Sequence, residues 1–431
     1  MHLTAQTTRE LSFTNIEIKM YNRKEKIGHI CSEIEKRLYG VHIDCFEGMD
    51  KPLFLISEAY PGIWLEHVYD SVFLAKNDPS MLYLAENTVN LFIDYQKEDG
   101  QLPCLVYDAK RRKFGDLVGY NQIQECVSFA RLAFMVYEMN RDSEFLKKAF
   151  ESSKKWVEWL KNNRMTTARG LIEMFVGYDT GHDNSGRLKG LSCEGYYVVD
   201  GEVQNASVLP PLDEVAPILA VDMNCNFYSN LVHISKMACE LGLPREAERF
   251  AAEALAVKEK LFELCYDEDD DFFYDVDKNG QKRRFLSSTI FHLFLEGVLD
   301  REEDAELIDR IYKRHISNPE EFATPYPYPS MAVNDPSCKE HADRNCWGYY
   351  SQGLIALRAT LWMEKYGYEA EFDNLCKRWV EVWTDHFDNI KLAQEIDPLT
   401  GIPTRSSEWY SSTMLFYLYA VKRLAAKNIE I

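Results

Sequence analysis

Residues 178–187 read YDTGHDNSGR and place one acid, Asp183, between a histidine and an asparagine, with Gly181 and Gly186 as hinges. Glycines so close together stop a helix from propagating, so this carboxyl group belongs to a loop. Two readings compete for it. Asp and Asn are common in turns because they tolerate unusual backbone angles and bond their own backbone. An acid at the rim of a cleft, by contrast, loses water, its pKa rises, and it can deliver a proton near neutral pH.

Other chemistry-bearing patterns are weaker. In residues 266–278, YDEDDDFFYDVDK, the acids Asp267, Asp269 and Asp271 alternate as in a calcium loop. An EF-hand loop needs Gly at its sixth position and an acid at its twelfth, and Phe272 and Lys278 stand there, so a solvated turn is expected. His292 lies on the apolar face of STIFHLFLEGVL and reads as a core histidine. Cys346 has a His nearby in sequence but no orienting third group, which gives it little claim as a nucleophile. No zinc, phosphate-loop, dinucleotide or serine-hydrolase motif occurs, so neither a metal nor a cofactor is expected.

The elements that must hold these residues are helical. In PSMLYLAENTVNLFIDYQ, Leu82, Ala85, Val89, Phe92 and Ile93 recur at spacings of three and four, as on one face of a helix. The same pattern predicts about twelve helices, near 24–38, 62–76, 80–96, 121–139, 143–163, 222–241, 244–265, 286–298, 302–315, 348–366, 369–387 and 408–426. Asp142 or Ser143, Pro244 and Gly367 mark several ends. KPLFLIS and GEVQNASVLPP read as short extended pieces. Two long loops, 164–221 and 316–347, interrupt the helices, and loops of that length usually carry function. Twelve helices without a fixed repeat suit an all-α (α/α)6 barrel, an inner ring of six helices wrapped by an outer six, spanning 1–431 as one domain. A two-domain α-solenoid would show self-similarity at a period of 20–50 residues, and none is visible.

Composition narrows the partners. The 431 residues are 46% hydrophobic and 13% aromatic, enough for a large core. A formal charge of −20 repels phosphate backbones and anionic lipid, so neither nucleic acid nor membrane is an expected partner. The 11 cysteines form no C-x-x-C pair, and the start of the chain has no apolar leader, which together predict a cytoplasmic protein with reduced thiols. Asn205-Ala206-Ser207 then has no meaning as a glycosylation site.

Against this background, RGLIEMFVGYDTGHDNSGR resembles the G-L-x-E-x-x-x-G-x-x-S-G-x-D-N-S-P-R stretch of the (α/α)6 glycoside hydrolases related to mannosylglycerate hydrolase and the processing α-glucosidases. Thr180 stands for Ser and Gly186 for Pro. The likeness continues in order along 55–425: PGIWLEHVYDSVFLAK is similar to W-x-W-D-S-x-F-H-A, VDMNCNFYSNLVHISK to V-D-L-N-x-x-L-Y, RNCWGYYSQGLIALR to N-x-W-R-G-P-V-W-P, and EIDPLTGIPTRSSEWYSS to the Y-N-P-x-T-G-E-G block. The resemblance implies that Asp183 is the general acid, with Asn184 and Arg187 beside it. It further implies that Asp70, with Tyr69 in place of the second Trp, faces the sugar, and that Asp222 and Asn224 top an inner helix.

Hydrolysis of a glycosidic bond needs a second carboxylate, about 6.5–9.5 Å away if the configuration inverts, as in these relatives. The family's base Glu should fall four residues before Pro398, where Gln394 stands. Glu395 and Glu408 are the alternatives, with Asp343 behind them. Trp64, Tyr120, Trp347, Tyr349 and Trp409 offer aromatic faces for a sugar, each also open to a plain packing role, and Gln352 lies in the fourth matched segment. The expected activity is inverting hydrolysis of a short α-glucoside or α-mannoside, including a glycosyl-glycerate or disaccharide. The alternatives are a sugar-binding protein that has lost its base and an epimerase on the same toroid using His233 or His292.

Overall fold

The computed structural model describes residues 23–112, 115–340 and 347–431. Along the chain the helices are α1 (23–36), α2 (Val68–Asn77), α3 (Leu82–Asp94), α4 (Phe129–Asn140), α5 (Ser143–Arg164), α6 (Val221–Glu240), α7 (Pro244–Cys265), α8 (Ile290–Leu295), α9 (Ala305–Ile311), α10 (Pro336–Glu340), α11 (Gly353–Arg358), α12 (Glu369–His386) and α13 (Ser411–Ala426).

Burial sorts them into two rings. In α2 every residue from Val68 to Ala75 is buried, and α13 buries Ser411 through Leu418, as an inner helix must when neighbours surround it. In α5, α7 and α12 only one face is buried, for example Phe250, Ala254, Val257 and Leu261 in α7. The inner helices α2, α4, α6 and α8 pack in succession, and α11 packs on α13, which closes on α2. Helices α3, α5, α7, α9, α12 and α1 lie outside, the last tied to α12 by Arg23–Asp385 at 2.7 Å. This is the (α/α)6 barrel, and it matches the expected class.

Connections reveal where function sits. Inner-to-outer turns are short, at 78–81, 141–142, 241–243, 296–304 and 359–368. Outer-to-inner connections are long, at 37–67, 95–128, 165–220, 266–289, 317–352 and 387–410. All six long connections therefore gather on one rim, at the N-termini of the inner helices. The paired two- and three-residue strands all lie in these loops.

Most expected helices are present, but the inner ones other than α6 are shorter than predicted. Residues 62–67 form a strand at Gly62–Trp64 and a 3-10 turn before α2, and α8 and α11 are only six residues long. Residues 268–271 form the expected turn, with Glu268 and Asp269 exposed, and its flanking acids pair with surface arginines, Asp267 with Arg284 at 2.7 Å and Asp271 with Arg310 at 2.9 Å. Among the described residues no group of His, Cys, Asp or Glu is arranged to hold a metal ion, and ten cysteines are free thiols. No described helix is long and apolar enough to cross a membrane.

Candidate active site

The loop carrying Asp183 is fixed from below. Asp179, fully buried, accepts from the backbone N–H groups of Phe175 (3.1 Å), Val176 (3.2 Å) and Ile123 (3.2 Å) and pairs with Arg164 at 3.3 Å. Thr180 donates to Asp222 at 2.6 Å, and Arg187 bridges Asp222 at 2.5 Å and Asp275 at 2.7 Å. Gly181 has φ +72°, and a methyl group there would meet the Cys126 sulfur at 2.8 Å, so both conformation and space demand glycine. The second hinge is not Gly186, which opens a 3-10 turn, but Asn184, with φ +59°.

Above this base, Asp183 is part-buried, and its Oδ1 is closed off from solvent with no hydrogen-bond partner. Burial, reinforced by the charge of Glu66, pushes its pKa up to about 8. Beside it, His182 lies against Trp347, ring centroids 4.0 Å apart and planes 23° from parallel, with Nδ1 3.3 Å from Asp222. Burial holds this imidazole neutral.

A second set of carboxylates comes from the start of α2. Asp70 accepts from the hydroxyls of Ser411 and of Ser412 (2.7 Å), tying the first turns of α2 and α13 together, and burial raises its pKa to about 6. Glu66, one turn earlier, is buried and pairs with Arg358 at 3.5 Å; burial raises it to about 7. A cavity of about 20 Å³, room for about one water, is lined by His292, Trp347, Arg358, Phe291 and Trp362 among others.

The final long loop supplies Glu395. The strand Glu395–Ile396 pairs antiparallel with Ser351–Gln352, and Gln352 Nε2 donates to Glu395 Oε1 at 2.8 Å while Thr404 donates to Oε2 at 3.3 Å. Gln394 is buried and accepts from the Tyr60 hydroxyl at 3.3 Å. Tyr60 and Trp64 meet edge to face at 5.1 Å and pack against a small cluster of Ile56, Trp347, Leu354 and Tyr410. Tyr349 packs in a separate cluster with Met331 and Cys338.

Contacts on the rim link Asp183, through its neighbour His182, to Trp347 and the cluster beside Trp64, and link Gln352 to Glu395, while Asp70 is buried below in α2 and Asn184 is exposed beside the acid. Several sequence-based candidates are framework instead. Arg187 and Asp222 are fully buried and paired with each other at 2.5 Å, and Asn224 holds both backbone polar groups of Ile172 at 2.9 Å. Tyr69 spends its hydroxyl on Thr360 at 3.0 Å. Tyr120 donates to the Tyr95 carbonyl and lies under the Lys97 ammonium, 4.1 Å from the ring centre. Trp409 packs edge to face on Phe387 and under Arg37, toward α1, and Glu408 beside it is half-buried, whereas Glu395 is fully buried. His233 sits within α6, bonded to the Ser229 carbonyl at 2.8 Å. Asp343 and Cys346 lie outside the described residues.

Glu66 and Arg358 are missing from the sequence-based set. The E-x-x-x-D spacing of Glu66 and Asp70 was the one available signal, since it puts both on one side of a helical turn; Arg358 carried none.

Residues 81–412 match the model of the mannosylglycerate hydrolase MGH1-like glycoside hydrolase domain. The chain belongs to this family. It is a glycoside hydrolase of the MGH1-like type. Among solved structures it is similar to the GH63 mannosylglycerate hydrolase of Thermus thermophilus in complex with glucose (TM-score 0.65, 17% identity, 85% of this chain and 95% of that one). It is also similar to the neutral trehalase of Saccharomyces cerevisiae (TM-score 0.66, 14% identity, 88% of this chain and 76% of that one). An uncharacterised protein of Borreliella burgdorferi is 25% identical over 162 residues, 38% of this chain and 32% of that protein. The match therefore spans about a third of that relative's length.

Proposed function

We propose that this MGH1-like hydrolase cleaves a short α-glucoside or α-mannoside, a disaccharide or a glycosyl-glycerate, with inversion of configuration, and that 1–431 form one catalytic (α/α)6 unit. The observation that carries the reading is Asp183: a part-buried carboxyl group on the rim loop, with one buried oxygen free of any partner and a pKa raised to about 8. Such a group is protonated at neutral pH and can give its proton to a leaving oxygen.

The second carboxylate is Glu395. Acceptor bonds from Gln352 and Thr404 hold its oxygens, as a base that orients one water needs. Trp347 and Trp64 supply aromatic faces for the sugar's C–H groups. The Thermus relative was crystallised with glucose and with D-glycerate, which supports a small saccharide or glycosyl acid as the ligand class. The cytoplasm is the proposed compartment, on the strength of the free thiols among the described residues.

The test is a screen of aryl α-glycosides, disaccharides and glycosyl-glycerates, followed by proton NMR of the first-formed sugar. Initial release of the β-anomer from an α-glycoside supports inversion; initial α-anomer refutes it. The buried Gln394 favours one second reading, a saccharide-binding protein without a base. Calorimetric binding of a saccharide with no sugar released from any glycoside would select it.

A further inference from the structure

Glu66 occupies a position that the hydrolytic chemistry of two carboxylates does not use. It lies in the 3-10 turn before α2, and a methyl group on Gly181, two residues from Asp183, would stand 3.7 Å from its carboxyl carbon. Glu66 is therefore packed against the loop that holds the acid. On its other side, Arg358 at the end of α11 reaches its carboxylate at 3.5 Å and its carbonyl at 3.3 Å.

We infer that Glu66, clamped by Arg358, is a positioning residue that keeps the acidic proton on Asp183. The inference rests on Asp183 being the general acid. Two buried carboxyl groups close enough to interact do not both ionise readily, and the one beside a cation gives up its proton first. Arg358 pairs with Glu66, whereas Oδ1 of Asp183 has no partner. Ionised Glu66 then opposes ionisation of Asp183, in agreement with its influence on that group. The charged and titratable groups facing Glu66 are Arg358 from α11, Asp70 from α2, Asp183 from the loop before α6 and the Cys126 thiol from the loop before α4. The thiol is pushed well above its ordinary range and stays neutral, so Asp70 and Asp183 are the anions in competition. Two serine hydroxyls donate to Oδ2 of Asp70 and favour its ionised form, although its Oδ1 has no partner, which leaves Asp183 as the group whose proton the charge of Glu66 retains.

The experiment compares the full-length wild type with Glu66→Gln and Glu66→Asp, reading kcat/KM against pH on an aryl α-glycoside. Loss of the negative charge in Glu66→Gln should move the alkaline limb down by about one pH unit, and Glu66→Asp should restore it. A folded Glu66→Gln with an unmoved limb overturns the inference. Should that variant not fold, carbon-13 NMR of the Asp183 carboxyl in the wild type decides. Two inflections are expected, the first reporting Glu66, and a single inflection overturns it. The two readings fail separately: an active Asp183→Asn removes the general acid, while an inactive one with an unmoved Glu66→Gln limb removes only the role of Glu66.

Discussion

Gln352 and Glu395 face each other across a two-residue antiparallel pair, and the amide of the first donates to the carboxylate of the second at 2.8 Å. That bond joins the loop before α11 to the loop before α13 and fixes the only acid of the QEIDP segment that is fully buried. Its neighbour Gln394 is turned to a different partner, the Tyr60 hydroxyl.

The first prediction concerns this pair. Glu395→Gln should lower kcat by at least about a hundredfold, the lower end for a lost general base, with KM changed little. Gln394→Glu should not raise turnover, because the existing base is Glu395. A gain of activity in Gln394→Glu, measured by steady-state kinetics, would transfer the role to position 394.

Next comes the contact between His182 and Trp347. The stacked pair fastens the residue before Asp183 to the loop entering α11. An aromatic pair of this kind contributes about 0.5–1.5 kcal/mol beyond the area it buries. Trp347→Ala should therefore cost kcat/KM about tenfold or more through a less well-held acid and a lost sugar face, whereas Trp347→Phe should recover most of it.

Stability should depend on pH in a direction that buried groups dictate. Burial raises Glu66 to about 7, Glu125 to about 8 and Asp183 to about 8, above their ordinary values of 4.5, 4.5 and 3.8. The native state then binds more protons than the unfolded chain up to about pH 8, so stability falls as pH rises through that window. Burial lowers His42 to about 4, His67 to about 3 and His292 to about 4, below 6.5, and these make the unfolded chain the stronger proton binder in acid. The three acids and three histidines offset each other between about pH 4.5 and about pH 6, so the melting temperature should be nearly level there and decline from about pH 6 toward about pH 8.5, where only the acids still contribute. A curve still rising through pH 8 would contradict these assignments.

How much of this was readable in the chain differs by element. The helix 143–163 was predicted within a residue of Ser143–Arg164, because its cap, Asp142, accepts from Glu144 N at 2.9 Å and its one-sided apolar face is a local signal. Inner helices give a poorer reading: 62–76 is buried almost throughout, and periodicity cannot separate a buried strand from a buried helix, so the predicted helix runs over the strand Gly62–Trp64. Asp183 was legible because its motif is linear. The pairing of Glu66 with Arg358 spans 292 positions, and nothing local announces it. The motif sets Arg187 beside the acid and Asp222 at the top of an inner helix, but their ion pair, which holds the loop from beneath, joins segments 35 positions apart and carries no local signal.

The framework ion pair offers a further check. Arg187→Met leaves the Asp222 and Asp275 carboxylates buried without their cation, which typically costs about 3–5 kcal/mol. The expected outcome is a large fall in melting temperature with loss of activity, and Asp275→Asn should destabilise in the same direction but less. An Arg187→Met protein as stable as wild type would show that the loop does not depend on this pair.

The most direct measurement compares leaving groups in Asp183→Ala. With the acid gone, turnover of an unactivated natural glycoside should fall by about a hundredfold or more, while an aryl glycoside whose leaving group is stable as an anion should lose far less. Natural-glycoside turnover within about tenfold of wild type, or equal losses on both substrates, would contradict proton donation by Asp183.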